Sequence, residues 1–547
     1  MAIIDSNGTS LAIKMGQRVF VREATGLVKE FGSVDALLMA SAAVFALVFT
    51  TLQFPWFYGF NPGANLPLAL VLAAIPFLIL MLCYWGIGVL MPRAGNDYIW
   101  VSRLLHPTVG FSWSALYMFS VFVTAYVGGT AAYAYAISTS LSIWGRLYGL
   151  TGLSSAGDWL SAPVGELALS VLLTLLFAVL SLFGSRAVRR FLYIFWGIEI
   201  VGIVVMWGLL AAASPALLAS NWNRVLGQFV TYDGLVEQAT RSGWSGAPGG
   251  LQATLASLPL AALFLFGGNF VDVIAGEIKG VRRAIPLALL LSLFFGIAYW
   301  SITAALTLKA TGENWMYAVG YLWDNNQTAY SSVMPYPPTE PLLLALISYP
   351  NQALTALAIL TYLVGSAVAP FVYFWIPTRY FFAWSFDRII PTRFADVHQR
   401  YHAPHYSIAA ISGLAAVLFV LYYFTSWPTA FALGTFLWGI SFVVPGIAAL
   451  LLPLRRPGLL EGAPGFLRRR LLGMPLLSLL GLLTALSFAY LGYVAITNPL
   501  ISTPTTLGVA VVIGIILITL AIYFRSRAYH ARRGLDINLI FRELPPE

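Results

Sequence analysis

Apolar residues in this chain come in long uninterrupted blocks, and the polar residues are confined to the short gaps between them. Inside each block the apolar character runs nearly all round a helix, the pattern of helices that face lipid and one another rather than water. A bilayer-crossing helix needs roughly 20 apolar residues. Twelve blocks meet that length, near 34–57, 66–90, 112–137, 163–184, 191–213, 254–277, 286–309, 351–382, 406–425, 428–453, 473–497 and 503–524. The longest polar stretches, about 214–253 and 310–340, are too short for an ordinary enzymatic domain. The pattern predicts an all-α polytopic membrane protein with one integrated domain: segment 1–32, a core over 33–453, two further spans over 473–524, and a tail over 525–547.

Composition agrees, with 59% hydrophobic and 9% charged residues, where a soluble domain carries about a quarter charged. The first 32 residues contain no compact apolar run, so no cleavable signal peptide is expected. Charge orients the chain. With a cytoplasmic N-terminus, 26 of the 30 Lys and Arg residues fall on the inner side, and only Arg146, Arg224, Arg241 and Lys309 fall outside. Both termini are therefore expected in the cytoplasm of a cell bounded by this membrane. The net charge of +9 is spread through short turns such as Arg282-Arg283 and Arg468-Arg469-Arg470. That arrangement suits anionic lipid headgroups and argues against a nucleic-acid partner. Cys83 is the only cysteine, which excludes an intrachain disulfide and a cysteine metal cluster.

Within blocks this apolar, the exceptions carry the chemistry. Phe264 to Pro286 contains Gly267-Gly268, then Asp272 and Glu277, then a basic turn. Lipid penalises irregular backbone and carboxylates unless they are buried in protein or line a water-filled path. The double glycine predicts a break, with Asn269, Asp272 and Gly276 on one face of the helix that restarts. Asp272 is then a candidate to line a pathway or hold a substrate amine, or a structural carboxylate bonded to a neighbouring helix. Phe266 and Phe270 flank the break as candidate gates. Glu277, beside Lys279 and Arg282, is expected in an ion pair at an inner gate. Glu199 lies mid-span with no cation within a turn of its own helix, so it is a candidate for proton coupling or gating. Ser366, with carbonyls freed by Pro370, can complete a cation site with the first span, and ordinary helix packing explains it equally. Tyr126 and Gly129 share a face of the third span and can wall a ligand site, although core packing explains them better. Prolines 76, 370 and 445 should each kink a helix or free a carbonyl.

Several blocks resemble the amino acid–polyamine–organocation permease superfamily. Met91-Pro92-Arg93-Ala94-Gly95-Asn96-Asp97-Tyr98 is similar to the family's Pro-Arg-x-Gly-Gly-x-Tyr segment. Ala275-Gly276-Glu277-Ile278-Lys279-Gly280 with Arg282-Arg283-Ala284-Ile285-Pro286 resembles its Glu-Val-Lys-Asn-Pro-x-x-x-Ile-Pro segment. Phe386-Asp387-Arg388-Ile389-Ile390-Pro391 resembles Asp-Gly-x-Leu-Pro, and the tail from Gly534 to Glu547 is similar to tails of some prokaryotic members. The resemblance implies a leucine-transporter-like fold of two inverted five-helix repeats plus two peripheral helices. It also implies a first and a sixth helix broken at mid-membrane around the substrate. On the first span Ser41, Ala42 and Ala43 stand where many members carry Gly-x-Gly.

The function expected is secondary active transport of an amino acid or amine by alternating access, with no cofactor and with H+ or Na+ as possible coupling ion, or exchange. Alternatives are a same-fold carrier of a nucleobase, organic acid or ion, a non-transporting sensor, and a membrane enzyme. The enzyme reading rests on the loop Asp396–His405, where His398 and His402 have i, i+4 spacing able to hold zinc on a helix, but Pro404 ends any helix there. No Gly-rich phosphate loop and no nucleophile–base spacing is present.

Overall fold

A computed structural model describes residues 27–45, 54, 56–247, 249–336, 340–425, 433–498, 502 and 504–544. Most of the expected N-terminal segment, part of the first span (46–53), Pro248, Pro337, Pro338 and the last three residues lie outside the described residues.

Among the described residues ten helices are long and apolar enough to cross a membrane: α2 (Leu66–Leu90), α4 (Pro107–Tyr148), α5 (Pro163–Leu182), α6 (Gly184–Ala212), α9 (Val281–Thr311), α10 (Gln352–Phe386), α11 (His405–Phe424), α12 (Phe436–Arg455), α13 (Leu476–Thr497) and α14 (Thr506–Ala531). They correspond to the expected second to fifth and seventh to twelfth blocks. The first and sixth blocks are built from shorter pieces. The first gives α1 (Ser33–Val44), and the sixth gives α7 (Leu258–Leu263) and the single-turn α8 (Phe270–Val273). A short helix α3 (Asn96–Leu104) lies in the gap between α2 and α4.

Local chemistry sets several of these boundaries. The Asp35 carboxylate accepts from the Gly32 amide at 2.6 Å and fixes the start of α1. Asn65 caps α2 by accepting from the Leu68 amide at 2.9 Å. The prolines act differently from one another. Pro76 sits inside the continuous α2, whereas Pro370 follows a turn at Ser366–Ala367 that interrupts α10, and Pro445 follows a break at Phe442 in α12. Two helices widen to i→i+5 turns, α4 over Val121–Gly128 and α10 over Ile359–Leu363. Such turns are uncommon and concentrate at functional sites; nothing in the residue pattern foretells them.

Helix α1 packs against α9, α10, α6 and α8, so the first and sixth blocks meet in the interior. Helices α5 and α11 pair with each other, and α13 packs on α12 and α2. Helix α14 leans on the first part of α4 and leaves Ile513, Leu517, Ile518 and Phe524 exposed, a lipid-facing surface. A backbone bridge ties the chain before α1 to the chain after α8. Glu30 and Phe31 amides both donate to the Glu277 carbonyl at 3.1 Å, and the Lys279 amide donates to the Phe31 carbonyl at 2.7 Å.

Candidate functional site

The interior junction is organised by two helix ends. After α7 the chain turns through 264–269, and Gly267 adopts φ +112°, a conformation that L side chains rarely reach. A Cβ at Gly267 would lie 2.4 Å from the Ala43 Cβ, and one at Gly268 would lie 2.7 Å from the Ser292 hydroxyl on α9. The double glycine therefore serves close approach as well as the turn. Ser41, Ala42 and Ala43 are still helical, in the last turn of α1, and the chain leaves the helix at Phe45 with φ −89°. Phe45 itself is not left-handed, so this helix end needs no glycine at that residue. Two of its terminal carbonyls are taken by side chains from two other helices: Ala43 by the Tyr373 hydroxyl at 2.8 Å and Val44 by Trp300 Nε1 at 3.0 Å. Helix termini leave such groups unsatisfied, and indole and phenol donors fill the need without introducing charge.

The residues singled out in the sequence divide into three groups. Around the turn, Phe266 stacks on Trp438 with centroids 4.4 Å apart and meets Phe270 edge-on at 5.6 Å, while Phe270 meets Tyr373 edge-on at 5.6 Å. Asn269 donates to the Tyr117 hydroxyl at 3.0 Å. The second group lies between α6 and α10. Gly365 lets α10 approach so closely that a Cβ there would be 2.4 Å from Glu199 Cα, and the Ser366 hydroxyl reaches Glu199 Oε1 at 3.5 Å while donating to the Tyr362 carbonyl at 2.6 Å. The third group is scattered. Tyr126 spends its hydroxyl on Thr174 of α5 at 2.7 Å and sets its ring against Phe374 and Phe419. Gly129 begins the α-helical half of α4 after the widened turns.

Two expectations are corrected. The restarted helix is too short to stack Asn269, Asp272 and Gly276. Helix α8 ends at Val273, a 3₁₀ turn follows over Ala275–Glu277, and Gly276 instead packs on the Arg93–Ala94 backbone. Glu277 does pair with a cation, but with Arg379 of α10, at 2.9 and 3.0 Å with both side chains 3% exposed, rather than with Lys279 or Arg282. The Arg379 guanidinium also lies 3.7 Å from the centroid of the Trp375 ring. A second buried pair, Arg103 with Asp387, ties α3 to the end of α10 with a 2.7 Å contact.

Asp272 faces neither the aromatic turn nor a cation. It is fully buried, and neither carboxylate oxygen has a hydrogen-bond partner. Across from it, Asp97 at the start of α3 is 1% exposed. Its Oδ1 accepts from the Tyr380 hydroxyl at 2.7 Å and its own neighbour's amide, Tyr98, at 2.8 Å. Burial pushes the Asp97 carboxyl up to about 7, and those two hydrogen bonds only partly oppose the shift.

Among the described residues no three His, Cys, Asp or Glu side chains gather as a metal site. The 398–402 segment is a turn in which His402 has φ 50°, so the i, i+4 helical geometry that zinc would need is not formed. A family model described as amino acid permease matches residues 31–519, which spans both helix ends and every helix from α1 to α13.

Proposed function

Because this chain belongs to the amino acid permease family and is a multi-pass membrane transporter, we propose that it moves an amino acid or a related amine by alternating access. The substrate site of this reading lies where the end of α1 meets the turn after α7. Ser41, Ala42, Ala43, Phe266, Gly267, Gly268, Asn269 and Phe270 form its nearest shell, and Tyr126 and Gly129 support α4 behind it. One observation carries the reading: the 2.4 Å approach that a Gly267 Cβ would make to Ala43. Two helix ends meeting in the interior present backbone amides and carbonyls where a continuous helix has none, as carriers with discontinuous helices require.

The charge distribution supports cytoplasmic termini in a plasma membrane. With that orientation the Glu277–Arg379 pair, the Phe31–Trp375 ring contact at 5.6 Å and the 31/278 bridge lie toward the inner end, and in this reading they form the inner gate. Glu199 and Ser366 act in coupling or gating beside α1, and the energy comes from an H+ or Na+ gradient or from exchange.

Purified protein in sealed liposomes should take up at least one radiolabelled amino acid or amine from a broad panel, saturably and only when reconstituted. Binding without flux across the whole panel would replace carriage by sensing, and no binding at all would refute the substrate class.

A further inference from the structure

The polar groups packed between α2, α3 and the 269–273 turn do not balance. Gly88 of α2 has no side chain because Asp272 occupies the space. A Cβ there would lie 2.3 Å from Asp272 Oδ1 and 3.6 Å from Asn96 Nδ2, so carboxylate and amide converge on one stretch of bare backbone. Among the described residues, both side-chain heteroatoms of Asn96, both carboxylate oxygens of Asp272, Asp97 Oδ2 and Asn269 Oδ1 are buried without a partner, and so is the Tyr84 hydroxyl on α2. Every one of these residues is at most 1% exposed. Tyr84 feels the charge of both carboxyl groups, and the two carboxyl groups feel each other.

This inventory is acceptor-rich. Five oxygens that can only accept face one amide group and one hydroxyl able to donate. Leaving buried acceptors unpaired is costly, and leaving two carboxylates uncompensated is costlier still. The basic groups nearby are already committed, Arg103 to Asp387 and Arg379 to Glu277. The remaining titratable neighbours, Cys83, Tyr84, Tyr117 and Tyr380, supply no positive charge. What the cluster lacks is a small cation, and its ligands are the carboxylate and amide oxygens that hard cations take.

We propose that Asp272 and Asp97, with Asn96, Asn269 and Tyr84, form the binding site of the coupling cation, Na+ or a proton, and that Asp272 is its principal ligand. The proposal rests on the transport reading above and assigns Asp272 to the ion rather than to the substrate. It also separates the ion from Glu199 and Ser366, which lie on the α6–α10 side of the core. The site joins α3 and α2 to the turn that follows the substrate region, so filling it fixes the turn and emptying it releases the turn.

The first test uses no substrate. Thermal unfolding of the full chain in detergent is followed while NaCl replaces choline chloride at pH 8, and separately while pH is lowered from 8 to 5 in choline. The wild type should gain at least 3 °C in the pH arm, and a like gain in the sodium arm identifies sodium rather than the proton as the ion. Asp272→Asn should start more stable in choline at pH 8, because a neutral amide replaces an uncompensated carboxylate, and should lose most of the gain. Asp97→Asn is the second variant, should Asp272→Asn fail to fold. The second test uses liposomes. Asp272→Asn should keep substrate counterflow within threefold of wild type but lose gradient-driven accumulation at least tenfold. The proposal is overturned if both Asp variants respond to ions as wild type does. It is also overturned if wild type responds in neither arm, or if Glu199→Gln alone abolishes the ion response. Failure of the wild type to transport any panel substrate, with the ion response intact, refutes the substrate class and leaves the cation site standing.

Discussion

Replacing Gly267 with alanine perturbs the junction in two separable ways. Its φ of +112° is strained for any L side chain, and holding such a residue costs of order 1–3 kcal/mol. The added Cβ would also sit 2.4 Å from the Ala43 Cβ, where carbon atoms at ease stand about 3.5–4.0 Å apart. Relieving that overlap requires a shift of roughly 1 Å between α1 and the turn, at about 1–3 kcal/mol. Together the variant should lose about 2–6 kcal/mol. Equilibrium unfolding in mixed micelles measures the loss, and the uptake assay reports whether the surviving folded fraction still turns over. Gly197 on α6 is the control, since an alanine there meets nothing within 4 Å and should be neutral or gain up to about 1 kcal/mol. Adding Ala43→Gly to Gly267→Ala removes the overlap but not the strained φ, so the pair should show a coupling of about 1–3 kcal/mol, within the range for residues in contact. A Gly267→Ala protein as stable as the Gly197→Ala control, or a double variant with no coupling, would refute the close approach of the two helix ends.

Two further outcomes follow from the buried charges. Arg379→Met leaves Glu277 buried and unpaired and should cost about 3–5 kcal/mol, whereas Arg379→Met with Glu277→Leu should recover most of that loss; a single variant no less stable than the double one would show that the pair is not desolvated. Asp97 holds its proton up to about pH 7 in the folded protein, while the unfolded chain releases it near 3.9. The folded state therefore binds the extra proton between these values, so in choline salts stability should fall as pH rises through that window and level off above it. Asp97→Asn should flatten the slope, and an unchanged slope would refute the assignment.

Most of the architecture was readable in the sequence because lipid imposes long apolar blocks, and ten of these became single helices. The break at Gly267-Gly268 was readable for a related reason, since glycine pairs and carboxylates are conspicuous where apolar residues are the rule. Partnerships across the fold were not. The nearest cations in sequence to Glu277 are Lys279 and Arg282, but its partner Arg379 stands 102 residues away on another helix. Asn96 and Asp97 read as part of a turn motif, and only the close approach of Gly88 to Asp272 joins them to a third element. The last carbonyls of α1 are taken by Tyr373 and Trp300, and no local pattern announces donors from distant helices. Tyr126 shows the same limit: its helical spacing fitted a ligand wall or core packing, and no local pattern announces that its hydroxyl bonds Thr174 of α5.

The backbone bridge between Phe31 and Ile278 has a consequence for biogenesis. Phe31 leaves the ribosome about 250 residues before its bridge partner is made, which at roughly 5–20 residues per second is on the order of 10–50 s. Throughout that interval α1 has neither the bridge nor α9 to pack on, although its acidic first turn can already reach Arg189 of α6. Helix α1 is thus seated long after it is synthesised, and the segment that fastens it carries Glu277, whose side chain pairs with Arg379 of α10. Residues immediately before Phe31 therefore bear on how the chain is assembled as well as on how it works.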